Sequence, residues 1–204
     1  MSEPRLTVRR LLGLDRSGAP PPQTLSGAPL RPWTLPNAIG FLRAGLIVAF
    51  LLLAYASPNG EDPLADVLYF IAGIGDYADG IAARLTGQYS RLGALLDPVL
   101  DRALVIAGAA VAWSYELLPR WLLAVLLARE LVMLVLGQAW VRRGLELSIN
   151  WPGRIAVGPT MLGVFLALAG VRDWGEGFLY AGLGLAWIAT AIYIRDGVAA
   201  LRER

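Results

Sequence analysis

The chain has 204 residues, 56% of them hydrophobic and 17% charged, with a formal net charge of +2. Soluble domains hold about 45–50% apolar and about 25% charged residues, so an ordinary water-soluble fold is excluded. Cysteine and histidine are both absent, which removes disulfides, thiol nucleophiles, Cys/His zinc sites and every triad built on histidine.

Residues 1–32 are polar, carry Arg5, Arg9, Arg10 and Arg16, and contain a proline run at Pro20, Pro21 and Pro22. They lack the apolar core of a signal peptide and are expected to form a mostly disordered cytoplasmic tail. Residues 33–204 are expected to form one membrane domain. About 20 apolar residues cross the hydrocarbon as a helix. Six stretches meet that length, at roughly Ala38–Ala56, Leu64–Ala83, Ala94–Trp113, Leu118–Val141, Ile155–Val171 and Phe178–Ile194. Turn residues separate them, as in Ser57-Pro58-Asn59-Gly60, Leu118-Pro119 and Trp151-Pro152-Gly153. The expected fold is all-α, a polytopic membrane protein with six transmembrane helices. An even number of spans puts both termini on one side. The tail, the second-to-third and fourth-to-fifth connections and the C-terminus hold all the loop arginines except Arg120 and Arg172. By the positive-inside rule both termini are cytoplasmic.

Charges fall inside these apolar stretches or at their ends: Arg43, Asp76, Asp79, Asp97, Asp101, Arg102, Arg129 and Glu130. An aspartate at a helix centre costs about 2.5–3.5 kcal/mol on insertion scales, so ionisable groups in spans read as functional by default. Asp76, Asp79, Gly80 and Ala83 share one helical face, and Asp97 and Asp101 are i, i+4 on the next helix. Antiparallel packing of these two helices, across a connection of roughly ten residues, would bring the acidic faces together near the cytoplasmic surface. Four carboxylates in one pocket repel unless cations enter, and oxygen donors suit hard ions. Two divalent ions would neutralise all four. The alternative is a structural salt-bridge cluster with Arg43, Arg84, Arg91 and Arg102.

In order these residues read D-x2-D-G-x2-A-R-x8-G-x3-D-x3-D, from Asp76 through Asp79, Gly80, Ala83, Arg84, Gly93 and Asp97 to Asp101. The pattern resembles, at all eight positions, the signature of the CDP-alcohol phosphotransferase family. That resemblance implies that Asp76, Asp79, Asp97 and Asp101 ligate two Mg²⁺ or Mn²⁺ ions, with Asp101 also the catalytic base. It implies that Gly80, Ala83, Arg84 and Gly93 line a CDP site. Leu35-Pro36-Asn37-Ala38-Ile39-Gly40-Phe41-Leu42-Arg43 resembles the family's P-N-x2-[ST]-x2-R entry, which adds Asn37 and Arg43 to that site, although Gly40 replaces the hydroxyl residue. The implied reaction moves a phosphatidyl group from CDP-diacylglycerol to an alcohol and releases CMP. The implied setting is the bacterial inner membrane, with the active site facing the cytoplasm, membrane lipid around the chain, a homodimer and no nucleic-acid partner.

Arg129-Glu130 resembles a pair found in members that use glycerol-3-phosphate or phosphatidylglycerol. Members using glycerol-3-phosphate usually carry an arginine eight residues further on, where this chain has Gly137, and a G-K-x-K-T where it has Gly153-Arg154-Ile155-Ala156-Val157. Trp140-Val141-Arg142-Arg143-Gly144 followed by Gly153-Arg154 resembles the actinobacterial cardiolipin synthases of the family. The favoured acceptor is therefore phosphatidylglycerol, with glycerol-3-phosphate the alternative and Arg129, Arg154 and Arg195 the acceptor-site candidates. A cation or proton transporter is the rival of a different class, since clustered intramembrane carboxylates also suit ion pathways. Gly73-Ile74-Gly75-Asp76 matches the G-x-G-D of intramembrane aspartyl proteases, but the first span lacks the second aspartate they need.

Overall fold

The computed structural model describes residues 21–25, 27–143 and 151–202. The first 20 residues of the expected tail, and Gly144 of the arginine-rich motif, lie outside them. Apart from one 3-10 turn at Pro22–Thr24, the long elements are six α-helices: α1 (Leu35–Ala56), α2 (Pro63–Thr86), α3 (Arg91–Ser114), α4 (Arg120–Arg142), α5 (Trp151–Leu168) and α6 (Arg172–Arg202). Each of the six apolar stretches became one helix. Four of them, α1, α4, α5 and α6, are long and apolar enough to cross a membrane, and the chain is a helical membrane protein.

Helix starts follow capping chemistry. The Thr34 hydroxyl accepts from the Asn37 N–H at 3.3 Å. Asp62 accepts from the N–H groups of Leu64 and Ala65, both at 2.9 Å, with Pro63 in the first helical position, where its missing N–H costs nothing. Ser90 accepts from the Gly93 N–H at 2.9 Å. The helices outrun their apolar stretches. Only residues 87–90 separate α2 from α3, against the ten expected, because polar Arg84 and Thr86 continue the first helix and Arg91 opens the next. Gly87, at φ +65°, makes that short turn possible. α6 is longer still, beginning at Arg172 rather than Phe178 and ending at Arg202. Asp173 in its first turn and Arg202 in its last complement the helix dipole.

The chain divides into two compact units. The first comprises residues up to Phe50 together with Val67–Leu104. Its core includes Phe50 against Tyr69, with ring centroids 5.1 Å apart, and the buried Ala72, Leu100 and Leu104. The stretch just before α1, placed in the polar tail by the sequence, contributes backbone contacts. Leu30 accepts from the Leu92 N–H at 3.2 Å, and the Asn37 side-chain amide donates to the carbonyls of Arg31 and Pro32 at 2.9 and 3.1 Å.

The second unit comprises Leu51–Asp66 and Val105–Arg204. Its tightest packing joins α5 to α6 through small residues. A Cβ added to Gly163 would stand 2.7 Å from the Leu179 nitrogen and 2.8 Å from the Gly175 carbonyl. One added to Gly182 would stand 2.6 Å from the Thr160 nitrogen. Bare backbones in contact are the usual way helices associate where no hydrophobic effect drives them together. Gly182 thus lies in close contact with α5. Ala181 and Gly184 are exposed, and Gly184 has nothing within 4 Å of a would-be Cβ.

Candidate active site

Within the first unit, α2 presents Asp76, Asp79, Gly80, Ala83 and Arg84, α3 presents Gly93, Asp97 and Asp101, and α1 presents Asn37 and Arg43. The acidic faces of α2 and α3 meet, and they meet on Arg43. This side chain is 2% exposed. Its Nε donates to the Ala72 carbonyl at 3.0 Å, its Nη1 to Asp76 at 3.3 Å and to Asp79 at 3.1 Å, and its Nη2 to Asp101 at 2.8 Å. A guanidinium suits the position because its planar fork serves several acceptors at once. Asp97, one turn before Asp101, is within electrostatic reach of the other three carboxylates and of Arg43.

The cluster combines features of both arrangements open from sequence. Among the described residues no three carboxylates stand close enough together to form a ready metal cage; three of the four close on the arginine. Yet one guanidinium offsets only one of four formal negative charges. Arg43 engages Asp76 through Oδ1, Asp79 through Oδ2 and Asp101 through Oδ1, so the second oxygen of each stays outside the ion pair. Asp76 and Asp101 have side chains 43% and 48% exposed, whereas Asp79 is buried. The donor set is all oxygen, and in its charge and chemistry it fits hard divalent ions.

The remaining motif residues sit beside this cluster on the same helices. A Cβ on Gly80 would stand 3.2 Å from Arg84 Nη2, so the Arg84 guanidinium lies over the bare face of its own helix one turn back. Asn37 is buried; its side-chain oxygen accepts from the Ser90 hydroxyl at 2.9 Å. A Cβ on Gly93 would stand 2.8 Å from that same oxygen. Asn37, Ser90 and Gly93 therefore form one knot at the start of α3, one turn before Asp97. Sequence reasoning missed Ser90, although a serine directly before an apolar helix is a capping signal.

The acceptor-site candidates belong to the second unit. Arg129 on α4 donates to Glu130 at 2.5 Å, and both line a cavity of about 40 Å³ with Leu126, Gly153, Thr160 and Ala186 among its walls. Arg129 Nε is buried without a hydrogen-bond partner. Arg154 on α5 is exposed, and Arg195 on α6, 74% exposed, pairs with its neighbour Asp196 at 2.8 Å.

Several known proteins resemble this chain in sequence. The cardiolipin synthase (CMP-forming) of Streptomyces coelicolor is 33% identical over 79% of this chain and 81% of its own length. A Mycobacterium tuberculosis protein provisionally named a cardiolipin synthase is 32% identical over 73% of this chain and 72% of its own. The CDP-diacylglycerol–glycerol-3-phosphate 3-phosphatidyltransferase of Salmonella choleraesuis is 30% identical over 78% of this chain and 88% of its own. The CDP-alcohol phosphatidyltransferase family matches residues 33–195, a span that holds all six helices but for the last residues of α6. The transporter reading falls away, and the chain belongs to the CDP-alcohol phosphatidyltransferase family.

Proposed function

We propose that this enzyme transfers a phosphatidyl group from CDP-diacylglycerol to phosphatidylglycerol, forming cardiolipin and CMP. The observation that carries the catalytic part is the local charge imbalance in the first unit, where three of four clustered aspartates on two helices close on one buried arginine. In this reading Asp76, Asp79, Asp97 and Asp101 hold two Mg²⁺ or Mn²⁺ ions. When bound, such ions supply Lewis acidity and neutralise charge on the pyrophosphate. Arg84 clamps a phosphate oxygen through its fork of donors, and Gly80, Ala83 and Gly93 line the nucleotide site together with Asn37 and Arg43. Asp101 accepts the proton of the acceptor hydroxyl as its oxygen attacks the phosphorus bearing the lipid. The bond from that phosphorus to the CMP oxygen breaks, and CMP leaves. Half-exposed Asp101 can reach a substrate hydroxyl; buried Asp79 cannot.

The acceptor reading rests on what the second unit offers. Gly137 and Ala156 stand where members using glycerol-3-phosphate usually place phosphate-binding cations, and the charge of Arg129 is already matched by Glu130. A phosphodiester bears one negative charge and needs fewer cations than the monoester of glycerol-3-phosphate. The actinobacterial relatives named for cardiolipin synthesis point the same way. Arg129, with Arg154 and Arg195, is proposed to serve this acceptor. The second reading, glycerol-3-phosphate as acceptor, is favoured by the Salmonella relative.

The wider setting follows from the same reading. All six helices cross the inner membrane of a bacterium, both termini and the active site face the cytoplasm, and the polar residues 1–32 precede a catalytic domain of residues 33–204. The homodimer implied by the family resemblance belongs to this proposal. Purified enzyme given CDP-diacylglycerol with phosphatidylglycerol and glycerol-3-phosphate in separate reactions decides the acceptor. Cardiolipin and CMP are expected from the first; product from glycerol-3-phosphate alone would overturn the choice.

A further inference from the structure

Gly75 belongs to the Gly73-Ile74-Gly75-Asp76 run, which the catalytic reading leaves without a role. A Cβ built there would stand 2.7 Å from Arg43 Cγ and 2.9 Å from Cδ. Those atoms are the middle of the arginine, not its free end. The end cannot swing aside, because its three nitrogens are held by the Ala72 carbonyl and by three carboxylates. Gly73, two residues earlier on the same helix, differs. Its would-be Cβ meets only Leu104 Cδ2, at 3.7 Å, an ordinary contact.

We infer that Gly75 is a positioning residue whose missing side chain admits Arg43 across α2, so that the guanidinium serves as a built-in counter-cation for Asp76, Asp79 and Asp101. Ala72, Gly75, Asp76 and Asp79 fall at i, i+3, i+4 and i+7, one face of α2. Arg43 lies along that face, passes the bare Gly75 backbone and ends among the acids. Asp79, buried in the first unit, depends on it most, since a buried carboxylate stripped of its partner is strongly destabilising. The role holds whichever alcohol is the acceptor.

The test compares thermal midpoints of purified full-length protein in detergent with EDTA. Gly75→Ala is expected to lower the midpoint by about 5–10 °C, while Gly73→Ala stays within about 2 °C of the parent protein. Replacing the chelator with Mn²⁺ is expected to recover most of the Gly75→Ala loss, because a divalent ion can supply the charge the displaced arginine no longer brings. Adding Gly75→Ala to Arg43→Ala, which has no Cγ to strike, is expected to change the midpoint by no more than about 2 °C. Equal midpoints for Gly75→Ala and Gly73→Ala in EDTA would overturn the inference. So would an undiminished Gly75→Ala loss in the Arg43→Ala background. If Arg43→Ala cannot be recovered folded, the Mn²⁺ arm decides: a loss that Mn²⁺ leaves untouched marks a plain packing defect and refutes the role.

Discussion

The four aspartates share a charge but not a situation. Asp79 is enclosed and tied to Arg43, whereas Asp101 gives one oxygen to the same guanidinium and keeps nearly half of its surface open. Replacing Asp101 by asparagine preserves shape and one hydrogen-bonding oxygen while removing proton affinity. Asp101→Asn is therefore expected to lower turnover by about 10²–10⁴-fold while CDP-diacylglycerol binding changes only a few-fold, as read by single-turnover assay and direct binding. A rate near that of the parent enzyme would remove Asp101 as the base. The acidic residues, and the helical faces they occupy, were legible in the sequence from their spacing. The reach of Arg43 past Gly75, and the link from Ser90 to Asn37, were not. Spacing tells which residues share a face of one helix; it does not tell how far a side chain from another helix extends along it.

At the scale of helices, hydropathy located all six elements but misjudged their ends. It marks where apolar surface stops, whereas backbone hydrogen bonding continues through polar residues such as Arg84 and Thr86, or Asp196 to Arg202. The same difference separates Gly182 from Gly184. Both are small residues on α6, yet only Gly182 faces Thr160 of α5, and composition cannot say which side of a lipid-embedded helix meets protein. Gly182→Ala would force backbone apart and is expected to cost about 1–3 kcal/mol. Gly184→Ala, which meets nothing, is expected to be neutral or to gain up to about 1 kcal/mol from reduced backbone entropy. Denaturation in detergent distinguishes them, and equal losses would contradict the close α5–α6 contact.

For the whole chain, family and helix count could be read from residues 33–195, because the motif and the apolar pattern both lie there. The two helices that bear the motif are the ones outside the four apolar enough to cross a membrane on their own. Their shortfall is charge, the carboxylates together with Arg84 and Arg102, and the cation that pairs with the acids sits on α1, the most apolar of the four. Its partners follow it by 33, 36 and 58 residues. If all six helices span, as proposed, α1 would enter the bilayer ahead of α2 and bring its arginine with it. Threading of the acidic hairpin into lipid should depend on that early arrival. Because the chain has no native cysteine, single cysteines report it cleanly. A membrane-impermeant thiol reagent added outside intact cells should label Asn59→Cys and spare Gln88→Cys. In an Arg43→Ala background, position 88 should become labelled in a growing fraction of chains stranded with α2 uninserted. Full protection of position 88 there would mean that the acids cross without help from the preceding helix.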